Sequence, residues 1–106
     1  MYISAAMLER ARQGDETAQS AIIAHLLPGI RRLAAANLTP GLEQEDAEQE
    51  GLIALFHAMD SYTIGGAAGF DTYAMRCIHN AIVDARLRTA RKKHQPLNQS
   101  WEMVFS

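Results

Sequence analysis

Residues 43–60, EQEDAEQEGLIALFHAMD, decide the reading of this chain. They carry the acids Glu43, Glu45, Asp46, Glu48, Glu50 and Asp60 and neither lysine nor arginine. At about 100° per residue, Leu52, Leu55, Phe56 and Met59 gather on one side of a helix, the side expected to join a core. Asp46, Gln49, Glu50, Ile53 and His57 fall within about 60° of a line on roughly the opposite side. That stripe faces solvent, yet Ile53 sits inside it. Two readings are open on the pattern. One is a solvated acidic face with a single exposed isoleucine, which is common. The other is a docking face, with apolar contact at Ile53 and acids meeting a basic partner.

The next helical segment has the opposite charge. Residues 76–94 carry Arg76, Arg86, Arg88, Arg91, Lys92 and Lys93 against one acid, Asp84. The chain has only 10 lysines and arginines, so most of its positive charge lies in this stretch. A formal net charge of -2 therefore hides one acidic and one basic surface. Ala74, Ile78, Ala81, Ile82 and Ala85 form an apolar, mostly small stripe expected in the core. Arg76, Asn80, Val83 and Leu87 lie on the far side, within about 40° of one line. The bases at the C-terminal end favour the helix dipole. Their density exceeds what capping requires and points to phosphate contact. Asn80 could reach a base edge, because an amide both donates and accepts.

A chain of 106 residues makes one domain with a modest core. A hydrophobic content of 48% argues against disorder. Cys77 is the single cysteine and cannot form an internal disulfide, which fits a reducing, cytoplasmic setting. The N-terminal residues lack the apolar run of a signal peptide, and no stretch approaches a membrane span. The pattern predicts an all-α, compact bundle of about four to five helices. A short helix covers about 4–13 and stops at Gly14, and Asp15 caps the next. Pro28-Gly29 kinks or breaks that second helix, which ends near Asn37. Residues 39–41 form a loop. A third helix covers about 43–60, a Gly-rich connection spans 63–69, and a last helix covers about 71–92. Pro96 closes it. The domain is expected over 1–98, with a short tail over 99–106.

Other signals carry little. Gly65-Gly66 with Gly69 follows no strand and lacks the ending of a phosphate loop. His25, His57, His79 and His94 with Cys77 lack metal-ligand spacing, so neither a metal nor a cofactor is expected. No nucleophile–base or paired-carboxylate arrangement stands out, and no catalysis is expected.

Several of these stretches resemble a known family. Residues 46–55, DAEQEGLIAL, are similar to the D-L-x-Q-E-G-x-x-G-L stretch of bacterial RNA polymerase sigma factors. Residues 58–62, AMDSY, continue it as A-[VI]-[DE]-x-[FY]. Residues 70–74, FDTYA, resemble the F-S-T-Y-A that opens the family's promoter-reading helix. Cys77-Ile78 and residues 91–98, RKKHQPLN, are most similar to the stationary-phase and sporulation branch. Leu8 to Gly14 with Asp15-Glu16 resembles the opening of the same domain, so the likeness spans about residues 5–98.

The resemblance implies the helical second domain of a sigma factor, regions 2.1 to 2.4, acting in transcription initiation. It implies docking on the β′ clamp helices of core RNA polymerase through Asp46, Gln49, Glu50, Ile53 and His57. It implies recognition and melting of the promoter −10 element. The DNA-binding residues would be Tyr62, Phe70, Thr72, Tyr73, Arg76, Asn80, Val83, Arg86, Arg88, Arg91, Lys92 and Lys93. Tyr62 and Tyr73 would hold a flipped adenine of the single-stranded −10 region, whose unstacking costs a few kcal/mol. Two departures weaken melting relative to docking. Arg76-Cys77 stands where primary members carry two tryptophans, and residues 65–69 read GGAAG where they carry bases and an aromatic. The alternative is a polymerase-docking accessory or regulatory module that does not melt DNA. The −35-reading domain of the family lies outside these residues. The chain is thus expected to be an excised domain, a truncated gene product or half of a split sigma factor. An anti-sigma factor or a second sigma-like subunit are the further partners the resemblance implies.

Overall fold

The computed structural model describes residues 2–66 and 68–105, with side chains described through Lys92. Ala67 and the side chains of 93–105, among them Lys93 and the apolar residues of the tail, lie outside what is described. Four helices follow one another: α1 (Ala5–Arg12), α2 (Glu16–Ala36), α3 (Gln44–Ser61) and α4 (Phe70–Phe105).

Local chemistry fixes the boundaries. Ser4 Oγ accepts from the Met7 N–H and starts α1. Gly14, at φ +96°, ends it in a left-handed turn that suits a residue without Cβ. The Gly14 and Asp15 N–H groups return to the carbonyls of Ala11 and Arg10, which completes a Schellman motif. Asp15 Oδ1 then accepts from Thr17 and Ala18 and opens α2. Thr39-Pro40-Gly41-Leu42 reverses the chain with Gly41 at φ +94°, and buried Leu42 anchors the turn.

The core is one line per helix. Ile22, Leu26, Ile30 and Ala34 recur every fourth residue along α2 and are buried. Ala74, Ile78 and Ile82 do the same on α4, and Ala85, three residues on, is buried with them. On α3 the buried line is mostly small: Ala47, Gly51, Ala54, Leu55 and Ala58, with Met59 beside it. A Cβ on Gly51 would stand 2.9 Å from Ile30 Cγ2 and 3.2 Å from Ile82 Cδ1. The missing side chain is therefore what lets α3 lie against both α2 and α4. Arg12 fastens α1 to the bundle. Its Nε donates to the Met59 carbonyl at 2.5 Å and its Nη2 to the Tyr62 carbonyl, at the electronegative end of α3.

Three expectations change. Helix α2 runs unbroken past Pro28. Pro28 therefore does not break it: proline costs a helix one N–H bond, and buried Leu26 and Ile30 on either side keep the segment packed in the core. Helix α4 likewise continues past Pro96 to Phe105 rather than closing near 92. The residues beyond the proline, such as Gln99, Glu102 and Met103, are good helix formers. Phe56, assigned to the core stripe of α3, is 44% exposed. The core axis follows the small residues through Gly51, and Phe56 stands about 140° from it.

Candidate functional site

The outward side of α3 carries the first candidate surface. Asp46, Gln49, Ile53 and His57 are exposed there, and Glu50 is half-buried. Asp46 has a second duty: its Oδ2 accepts from the Glu43 N–H at 3.1 Å and closes the helix N-terminus. Glu50 is engaged by α4, its Oε1 accepting from Arg88 Nη2 at 3.2 Å. Glu48 is drawn towards Arg31 at 3.9 Å and accepts from Gln44 at 2.7 Å. Two of the acids are thus partly neutralised within the chain. Ile53 is 50% exposed, and Phe56 stands one turn further on. The pair makes an apolar knob on a stripe that carries Asp46 two turns before Ile53 and Asp60 one turn after Phe56. Sequence reasoning missed Phe56. The run of small residues Ala47, Gly51, Ala54 and Ala58 was the available signal, since small side chains mark the line of closest helix approach.

The outward side of α4 carries the second. Thr72, Arg76, Asn80, Leu87 and Arg91 are exposed, and Val83 is half-buried. On helical geometry they share an arc of about 100°. The remaining bases do not form one face with them. Arg88 points towards α3 and its Glu50. Arg86 is half-buried on another side, with Nε buried and lacking a hydrogen-bond partner among the described residues. Lys92 is exposed but about 100° away from Arg91. The expectation of one basic surface therefore resolves, among the described side chains, into Arg76 and Arg91 on the outer arc, with Arg86, Arg88 and Lys92 off it. Neighbours at i+1 and i+2 do not face the same way, which separates Arg86 from Arg88 and Arg91 from Lys92.

The aromatics between the two helices form a packed group. Phe70 is buried, and its ring meets Tyr62 edge-on at 5.4 Å. The Tyr62 and Tyr73 rings are tilted against each other at 5.3 Å. The Tyr62 hydroxyl donates to the Ala68 carbonyl at 2.5 Å, and the Tyr73 hydroxyl shares a hydrogen bond with Ser61 Oγ at 2.8 Å. Ser61, Tyr62, Thr63, Gly66, Ala68 and Tyr73 line an open recess beside the loop. The two tyrosines touch each other, so no slot separates them. A stacked base would use the outer face of one ring. At the same end, His25 Nε2 lies 2.7 Å from Asp71 Oδ2 and ties α2 to the first turn of α4.

These surfaces suit binding rather than bond-making: an apolar knob among acids, two outward arginines and a wall of aromatic rings. No helix among the described residues is long and apolar enough to cross a membrane.

Comparison with known proteins gives the same direction. The chain is 34% identical over 101 residues to the RNA polymerase sigma-28 factor of Bacillus thuringiensis subsp. kurstaki, covering 90% of this chain and 42% of that protein. It is 29% identical over 92 residues to the RNA polymerase sigma-H factor of Bacillus subtilis (strain 168), covering 87% and 42% respectively. It is 36% identical over 76 residues to the RNA polymerase sigma-K factor of the same organism, covering 72% and 26%. The chain thus spans less than half the length of these relatives. No solved structure matches it significantly. Residues 22–92, from within α2 to the last described side chain of α4, match the family model for Sigma-70 region 2. The chain belongs to the Sigma-70 region 2 family.

Proposed function

We propose that this chain is a transcription-initiation module that binds core RNA polymerase and recognises the promoter −10 element. The α3 stripe of Asp46, Gln49, Glu50, Ile53 and His57 is the polymerase-docking surface, and Phe56 extends it. The outer arc of α4, with Thr72, Arg76, Asn80, Val83 and Arg91, faces promoter DNA, and Tyr62 and Tyr73 offer ring faces to an unstacked base. One observation supports this most directly: Ile53 and Phe56 are large apolar side chains held about half in solvent within an acidic stripe. A solvated face has no use for the pair, whereas a partner helix with apolar and basic residues would cover it.

The test is a pull-down of core RNA polymerase. Ile53→Asp with Gln49→Ala should abolish capture while helicity by circular dichroism persists, because both residues are exposed. Capture equal to that of the wild type would overturn the docking assignment.

A second reading, docking without DNA melting, is favoured by the aromatic geometry. Tyr62 and Tyr73 spend their ring contact on each other and both hydroxyls on the chain itself. Matched single strands with adenine or cytosine at the flipped position, bound to the chain with core polymerase, separate the readings. Fluorescence anisotropy should show tighter binding of the adenine strand. Equal binding of both strands would favour the docking module.

A further inference from the structure

A groove between α2 and α4 meets the outer arc of α4 at Arg76 and otherwise lies outside both surfaces. Gly29, Arg32 and Leu33 line it from α2, and Met75, Arg76 and His79 from α4. Gly29, Leu33 and Met75 make the floor. The exposed Arg32, Arg76 and His79 stand at the rim. Arg32 reaches over the floor, its Nη2 lying 3.7 Å from where a Gly29 Cβ would be. A nucleic-acid backbone fits poorly, because the floor has no donors for phosphate oxygens and would desolvate them without compensation. What fits is a segment with a large apolar side chain flanked by carboxylates.

The chain displays such a segment itself. On α3, Ile53 and Phe56 protrude with Asp46 and Asp60 on the same exposed stripe. Within one molecule the two surfaces cannot meet. Helix α3 packs on the side of α4 marked by Arg88 and Glu50, whereas the groove opens on the side facing α2.

We propose that a second copy of this chain seats its Ile53–Phe56 knob in the groove, with the flanking carboxylates at Arg32 and Arg76. The contact is heterologous: each copy uses its stripe on one neighbour and its groove on another, so association grows with concentration and does not close at a dimer. One consequence rests on the proposed function. The associated form hides the docking stripe and Arg76 together, so chain held in it is withheld from both polymerase and DNA.

Sedimentation velocity on the full chain tests the association without reference to polymerase. The weight-average mass should rise with concentration at low salt and fall back as salt is added, since the rim pairs are screened. Arg32→Glu with Arg76→Glu removes the groove's charge and should leave a monomer, as should Ile53→Asp with Phe56→Ser, which removes the knob. Mixing these two monomeric variants should restore a capped one-to-one dimer, because one has an intact stripe and the other an intact groove. Circular dichroism checks that both remain helical; if either does not, Arg32→Ala and Phe56→Ala replace them. A wild-type chain that stays monomeric up to its solubility limit would overturn the proposal and leave the groove to an acidic helix of another protein. Variants that associate as well as the wild type, or a mixture that forms no dimer, would overturn it too. Polymerase capture can fail while association persists, so this result stands apart from the docking test.

Discussion

Two glycines offer the same nominal clash and should respond with opposite signs. A Cβ on Gly51 would lie 2.9 Å from Ile30 Cγ2, 3.2 Å from Ile82 Cδ1 and 3.3 Å from Ile78 Cγ2. Carbon atoms in contact prefer about 3.5–4.0 Å, so the nearest contact is short by about 0.6 Å. All three isoleucines are fully buried, and branching at Cβ stiffens them. Overpacking of this kind costs about 1–3 kcal/mol, while replacing a helical glycine by alanine returns about 1 kcal/mol. Gly51→Ala should therefore lose up to about 2 kcal/mol, a fall in Tm of roughly 4–8 °C for each kcal/mol lost. At Gly29 the new Cβ would lie 2.9 Å from Met75 Cε and 3.2 Å from Met75 Sδ. Those atoms end a flexible, half-buried side chain that can swing away. The helix term then dominates, and Gly29→Ala should gain up to about 1 kcal/mol. Urea unfolding followed by circular dichroism, with an unchanged m-value, measures both. A Gly51→Ala chain at least as stable as the wild type, or two variants shifting in the same direction, would refute the reasoning.

Further outcomes follow from the same geometry. Arg12→Ala strands the Met59 and Tyr62 carbonyls and should cost about 1–3 kcal/mol by urea unfolding, with Arg12→Lys recovering only part because it lacks the fork that reaches both. Phe56→Asp should reduce capture of core polymerase with little loss of thermal stability, because the residue is 44% exposed and off the buried line of α3; a large loss of stability would return Phe56 to the core. Neutralising Arg76 and Arg91 should flatten the dependence of log affinity on log salt for −10-like single strands by about 0.7 per lost phosphate contact. Arg88→Ala should change that slope less, since its guanidinium already faces Glu50; an equal change would show that the pair opens on DNA. Tyr73→Ala should cost about 1–3 kcal/mol in binding such a strand, the scale of one base–aromatic stack, whereas Tyr73→Phe should retain it.

The docking stripe and the aromatic group differ in how much the fold has already committed. Ile53 and Phe56 make their exposure available at once. Tyr62, Phe70 and Tyr73 are packed with one another, so base capture would have to compete with ring contacts and hydrogen bonds that exist in the unbound chain. That competition lowers the gain from stacking and gives a physical reason for docking to be the more robust of the two proposed activities.

Much of this protein was determined by local sequence. Gly14 with Asp15 specifies a stop followed by a start, because a left-handed residue and a capping carboxylate act within one turn. The i, i+4 series Ile22, Leu26, Ile30, Ala34 and Ala74, Ile78, Ile82 specify two buried faces, because helix geometry alone places them there. The order and spacing of motifs over about residues 5–98 were enough to show the family resemblance. Tertiary structure decided what depends on neighbours. Small residues hide their role in sequence: only the approach of Ile30, Ile78 and Ile82 shows that Gly51 lies on the core axis and that Phe56 therefore faces out. The charges of residues 86–92 read as one cluster along the chain, yet the helix turns Arg88 to Glu50 and Arg91 to the outer face. Arg12 gave no signal, because its partners are backbone carbonyls 47 and 50 residues away, and a carbonyl carries no residue identity.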